Sequence, residues 1–196
     1  MPDRFSSFAE LSRHMREGVD FEIRLSRGKW PVVIVAPHAG RIEPGTGRIA
    51  RAIAGKEFSV YEFRGIRPSE NWKLHLTAHQ FDEPRCLAAL QLAHLAVTIH
   101  GVKGEEPFVM VGGKAVGLVE TIADSLSEAG VPAREPTGLL RGLHPSNLCN
   151  RGHAGRGVQI EASAELRRSM MTDGPRRNRF ASAVRSPLLA RFASAR

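Results

Sequence analysis

The chain has 196 residues, 42% of them hydrophobic and 24% charged, with a formal net charge of +8. Those values describe one substantial globular domain and exclude a fibre, a disordered chain or two ordinary domains. No apolar run approaches the ~20 residues of a membrane span, and Met1–Phe8 has no signal-like apolar stretch. A soluble monomer made in the cytoplasm is therefore expected, and action outside the cell after lysis is compatible with that. Two cysteines, Cys86 and Cys149, are too few for a cysteine-rich zinc site. Without an export signal they are expected as free thiols rather than a bridge.

Phe8, Leu11 and Met15 stand at helical spacing, and Phe21–Leu25 alternates as an edge strand would. Val32–Ala36 is a β-branched run of the kind covered on both faces. A helix over Ile49–Ile53 stopped by Gly55 follows, then a strand over Phe58–Phe63, a short strand over Leu74–Thr77 and a helix over Pro84–Ala93. Leu95–Ile99 and Phe108–Val111 read as further strands, and Lys114–Ala129 as a helix ended by Gly130. The long loop Gly142–Gly155, rich in turn residues, marks a functional segment. Strand Val158–Glu161 and a helix to about Met171 complete an α/β fold with a mixed, largely parallel sheet flanked by helices.

Asp173-Gly174-Pro175 is a break, which divides the chain into a domain over 1–172 and an arginine-rich tail over 173–196. From Glu165 onward there are eight arginines against two acids, so this stretch holds +6 of the net charge. Such a concentration suits a polyanion, nucleic acid among the candidates, or a merely solvated tail. Phe180, Val184, Leu188, Leu189 and Phe192 form an apolar face expected to pack on the domain, with Ser186-Pro187 starting a second short helix.

Three of the strand-like runs end in chemistry. Val32–Ala36 leads into His38 and, five residues on, Glu43; Leu95–Ile99 leads into His100; Gly157–Ile160 leads into Glu161. The carboxyl ends of strands are where open α/β sheets build their sites. Two histidines and a carboxylate are the ligand set of a catalytic zinc with an open water position. Glu161 would be the general base that takes a proton from water and returns it to the leaving amine. Asn150 and Arg151 in the long loop form a clamp suited to a substrate carboxylate. His79 after the Leu74–Thr77 strand is a further substrate-contacting candidate, and His144 a loop candidate. His14, His75, His94 and His153 have no spacing argument.

The stretches Ala36-Pro37-His38-Ala39-Gly40-Arg41-Ile42-Glu43-Pro44-Gly45-Thr46, Phe81-Asp82-Glu83-Pro84, Thr98-Ile99-His100-Gly101 and Asn147–Arg151 with Gly157–Glu161 resemble the poly-γ-glutamate hydrolase family, phage-associated enzymes that cut the γ-linked glutamate polymer of bacterial capsules. The match runs from about Pro31 to Glu165 in the family's order. The resemblance implies a zinc-carboxypeptidase-like fold, with His38, Glu43 and His100 as zinc ligands and Glu161 as base. Ala39 departs from the pattern, which has a second glycine there; alanine is tolerated unless φ is positive. The tail lies outside it. The expected activity is zinc-dependent hydrolysis of γ-glutamyl amide bonds, on an anionic polymer or an acidic peptide. The alternatives are a zinc amidase for another acidic peptide or N-acyl amino acid, and a non-catalytic basic phage protein that binds nucleic acid. No nucleic-acid motif supports the last, and the low aromatic share of 6% offers few stacking platforms.

Overall fold

The structure, a computed structural model, describes residues 3–193. Its strands are β1 Phe21–Ser26, β2 Trp30–Gly40, β3 Phe58–Gly65, β4 Leu95–Val102, β5 Val109–Gly112 and β6 Val158–Ser163. Its helices are α1 Phe8–His14, α2 Thr46–Ala54, α3 Pro84–Leu92, α4 Val116–Glu128, α5 Ala164–Thr172 and α6 Gly174–Ala193. The strands form one sheet in the order β1-β3-β2-β4-β6-β5. β3, β2, β4 and β6 run parallel, while β1 and β5 pair antiparallel at the two edges. The mixed, largely parallel sheet expected from the sequence is thus present.

The apolar runs form the middle of the sheet because both of its faces are covered, so every second residue and its neighbour are buried alike. In β2, Val32, Ile34 and Ala36 point into a core shared with α2, α4, α5 and α6. Val33 and Val35 point into the opposite core, against Leu11, Tyr61, Phe63, Phe81 and Leu90. Each such side chain contributes about 1.5–3 kcal/mol on leaving water. The run does not end at Ala36: β2 continues through His38 to Gly40, with a register shift against β3 between Ala36 and Ala39. Ala36 and Ala39 both enter the same core, so the extra residue re-aims His38 away from it.

Two expectations are corrected. Leu74–Thr77 is not a strand; Asn71–Leu74 is a 3₁₀ turn and His75–Thr77 is irregular. Its apolar alternation is real, since Leu74 and Leu76 are fully buried. Its backbone, however, is satisfied by side chains: the Leu76 carbonyl meets His38 Nε2 at 2.8 Å, and Thr77 N–H donates to Asp3 at 2.6 Å. The second correction is that Ser186-Pro187 starts no second helix. α6 runs unbroken from Gly174 to Ala193 with Pro187 inside. An interior proline costs about 3 kcal/mol; burial of Phe180, Val184 and Leu188 in the core beneath α6 offsets it. Arg196 lies outside the described residues. Cys86 and Cys149 are buried and free. Among the described residues no helix is long and apolar enough to cross a membrane.

Candidate functional site

The sheet changes winding direction at β2, whose chain successor β3 lies on one side and β4 on the other. A crevice opens there at the carboxyl ends, as such a switch point requires. A cavity of about 520 Å³ fills it, and His38, Glu43, His75, His79, His100 and Glu161 all reach its wall. Four of these, from three strand ends, are the residues singled out above as ligands and base.

Local structure holds His38 and Glu43 together. Glu43 N–H donates to the His38 carbonyl at 2.9 Å, and Thr46 Oγ donates to the Glu43 carbonyl at 2.9 Å as α2 begins. The turn needs Gly40, whose φ is +69° and where a Cβ would lie 2.4 Å from the Gly65 carbonyl oxygen. Ala39 meets no such demand, because Glu70 is the one non-glycine of positive φ among the described residues. Register sets the other pair, for His100 of β4 lies directly beside Glu161 of β6.

The ligand-type atoms converge. His38 Nδ1 lies 3.3 Å from His100 Nδ1 and 3.3 Å from Glu43 Oε1. The edge of a tetrahedron of donors about 2.0–2.1 Å from a zinc ion is about 3.3–3.4 Å. His38 Nε2 meets the Leu76 carbonyl, which fixes that nitrogen as the protonated one and leaves Nδ1 with its lone pair. Glu43 Oε2 accepts from Gly101 N–H at 2.7 Å, so Oε1 is the oxygen turned toward the histidines. His100 Nε2 is buried with no protein partner among the described residues. The group whose ligand atoms all lie within 4.8 Å of one another is His38, Glu43 and His75, two imidazoles and one carboxylate whose chemistry fits a cation, with His100 Nδ1 adjoining it at His38.

His75 also belongs to this cluster. Its ring stacks on His38 at 3.9 Å, and its Nε2 lies 3.9 Å from Glu43 Oε1. Its Nδ1 is held by Asp3 at 2.6 Å. Sequence reasoning missed both residues. The one available signal was a histidine between two buried leucines, on the side of the segment that the leucines leave free.

Electrostatics separates the two site carboxylates. Burial pushes both upward, but His38, then His100 and His75, outweigh it at Glu43 and hold that carboxyl at about 2. At Glu161 burial dominates and the Glu43 charge adds to it, so the carboxyl lies well above its ordinary 4.5, with Arg167 opposing. Burial lowers His100 to about 3, with His38 contributing further. Glu161 is also oriented: Asn147 Nδ2 donates to Gln159 Oε1 at 2.7 Å, and Gln159 Nε2 donates to Glu161 Oε1 at 3.1 Å. An ionised carboxylate thus stands beside one that readily holds a proton.

The loop clamp is placed otherwise. Asn150 is buried, donates to the Gly142 and His144 carbonyls and accepts from Gly157 N–H. Arg151 donates to the Phe81 carbonyl at 3.0 Å. Neither reaches the cavity wall, because a long loop without regular structure needs such side chains to satisfy its own backbone. His79 and His144 do reach it, with ring centroids 5.0 Å apart, beside the exposed Leu139 and Leu143.

The chain is similar to known proteins over most of its length. YmaC of Bacillus subtilis (strain 168) is 33% identical over 181 residues, covering 91% of this chain and 76% of that protein. The prophage-derived YoqZ of the same strain is 34% identical, and the match spans 61% of its length. The structure of a bacteriophage poly-γ-glutamate hydrolase superposes with a TM-score of 0.92 at 29% identity, covering 98% of this chain and 99% of that one. A zinc-free structure of YndL gives 0.90 at 29% identity, covering 96% and 98%. The sequence profile that matches residues 5–195, nearly the whole length and with it every strand end that forms the cavity, is that of poly-gamma-glutamate hydrolase, and the chain belongs to this family.

Proposed function

We propose that this chain is a zinc-dependent hydrolase of γ-glutamyl amide bonds, with poly-γ-glutamate as its substrate. The observation that carries the reading is the pair of 3.3 Å separations joining His38, His100 and Glu43 beside a base-competent Glu161. His38, Glu43 and His100 would hold the ion. Zinc there supplies Lewis-acid chemistry, polarising the scissile carbonyl and acidifying water. The zinc-free description of the related YndL structure supports the choice of metal.

The chain's own groups do the rest. Glu161 accepts a proton from the attacking water and returns it to the leaving nitrogen. Asn147 and Gln159 fix which of its oxygens stays free to do so. Among the described residues the cavity wall includes no lysine or arginine. Substrate carboxylates are therefore met by His79 and His144 at the mouth rather than by the Asn150–Arg151 clamp.

The test is hydrolysis of poly-γ-glutamate by purified protein, before and after a chelator and after zinc is restored. Loss on chelation and recovery with zinc is the expected result; undiminished cleavage in chelator removes the metal from the reading. Zinc content separates the two histidines. His100→Ala should empty the site, whereas His75→Ala should keep zinc bound more weakly. The reverse order would make His75 the third ligand.

A further inference from the structure

Arg167 lies in the stretch whose arginines the sequence presents as a basic tail, yet it is buried, only 8% exposed. Among the described residues it forms no ion pair with any carboxylate, its partners being main-chain carbonyls. Nε donates to Ala162 at 3.1 Å, and Nη1 donates to Pro44 at 2.6 Å. Taking a guanidinium out of water is costly, and although no ion pair joins them, the charges of Glu43 and Glu161 favour its charged form.

What it touches explains the placement. Pro44 directly follows Glu43, and Ala162 directly follows Glu161. Its guanidinium lies against Gly101, the residue after His100, where a Cβ would fall 2.6 Å from Cζ. Its own Cβ packs on Gly45, where a side chain would come within 3.1 Å. Gly101 is in turn the residue whose N–H holds Glu43 Oε2. One planar fork thus joins the loop after β2 to β6 and lies against β4, next to the residues that follow Glu43, Glu161 and His100.

We infer that Arg167 is a positioning residue of the metal centre, the brace that sets Glu43, His100 and Glu161 in mutual register. The inference rests on the zinc reading above. Lysine cannot replace it, because a single ammonium has no rigid fork to reach one carbonyl on a strand and another on the loop beside it. The two glycines beneath it are part of the same device.

The experiment measures zinc affinity by competition with a chromophoric chelator for wild type, Arg167→Lys, Gly101→Ala and the double variant, with melting curves alongside. Arg167→Lys should weaken zinc by ~10–100-fold, the scale of residues that orient ligands. Its kcat on poly-γ-glutamate should fall while KM moves less than about threefold. Gly101→Ala should weaken zinc comparably by intruding on the guanidinium. In the double variant that second loss should largely vanish, since the slimmer lysine leaves room for the methyl group. Unchanged zinc affinity in a folded Arg167→Lys protein overturns the inference, as does simple additivity of the two substitutions. If the wild type binds no zinc, the metal reading and this inference fail together. Normal wild-type binding with an indifferent lysine variant removes the inference alone.

Discussion

Two regions of this molecule use polar groups in opposite ways. At the carboxyl end of the sheet, His100 Nε2 is buried and unpartnered among the described residues, and two imidazole nitrogens face each other at 3.3 Å. On the helical face several guanidinium groups are occupied by main-chain carbonyls. Arg185 donates to the Ala52 and Ile53 carbonyls at the end of α2. Arg177 and Arg48 donate to the Met170 and Met171 carbonyls at the end of α5. A guanidinium in a helix's last turn satisfies orphan carbonyls and opposes the negative end of its dipole. The contrast shows that a charge counted in sequence is not a charge offered to a partner. Function lies where buried groups lack an internal answer.

The sharpest way to break the comparison is Glu161→Gln. Activity should fall ~100-fold or more, the scale of a lost general base, while zinc stays bound. Stability should move the other way. The folded-state pKa of Glu161 is raised above 4.5, so the folded form is penalised as pH climbs through that raised value and is free of the penalty below 4.5. The metal-free Gln variant should therefore melt higher than wild type at pH 8, with the gain shrinking toward pH 4. A lower melting point at pH 8 would show that the site is not strained by its own carboxylate.

The next effect is on the helical side. Leu188→Ala removes a fully buried side chain of α6 and should cost about 2–5 kcal/mol in denaturant unfolding, with kcat preserved in the folded fraction. Smaller still is Arg185→Met, expected to cost roughly 1–2 kcal/mol through the uncapped α2 carbonyls, again without catalytic loss. Arg179→Gln and Arg191→Gln, both at exposed positions, should change stability by less than about 0.5 kcal/mol. If instead they abolish polymer cleavage, the tail's charge is functional and the contrast fails.

How much of this was legible in the sequence depended on where each group draws its partners. β2, β4 and β6 announced themselves as apolar runs, and the histidine or glutamate that follows each run was visible as a candidate for the cavity wall, where it is found. His75 was not, because its place comes from Asp3, 72 residues away, and from a carbonyl claimed by His38. Arg167 was counted with the tail, since composition cannot tell a buried fork from an exposed one. Asn150 and Arg151 had the right chemistry for a substrate clamp, but the loop needs that chemistry for itself. Pro187 read as a helix start because the local rule holds; burial of the residues around it outvotes the rule here.

α6 comes after every other element in chain order, yet it packs on α2, whose residues are more than 120 positions earlier. During synthesis, all the residues of the candidate site therefore leave the ribosome while one face of the sheet still lacks its cover. Ile49, Ile53, Leu118 and Ile122 must wait, exposed, for Phe180, Val184 and Leu188 to arrive. Closing so long a loop is slow relative to forming local helices. The nascent chain is thus most prone to aggregate after its chemistry is complete and before its last twenty described residues emerge.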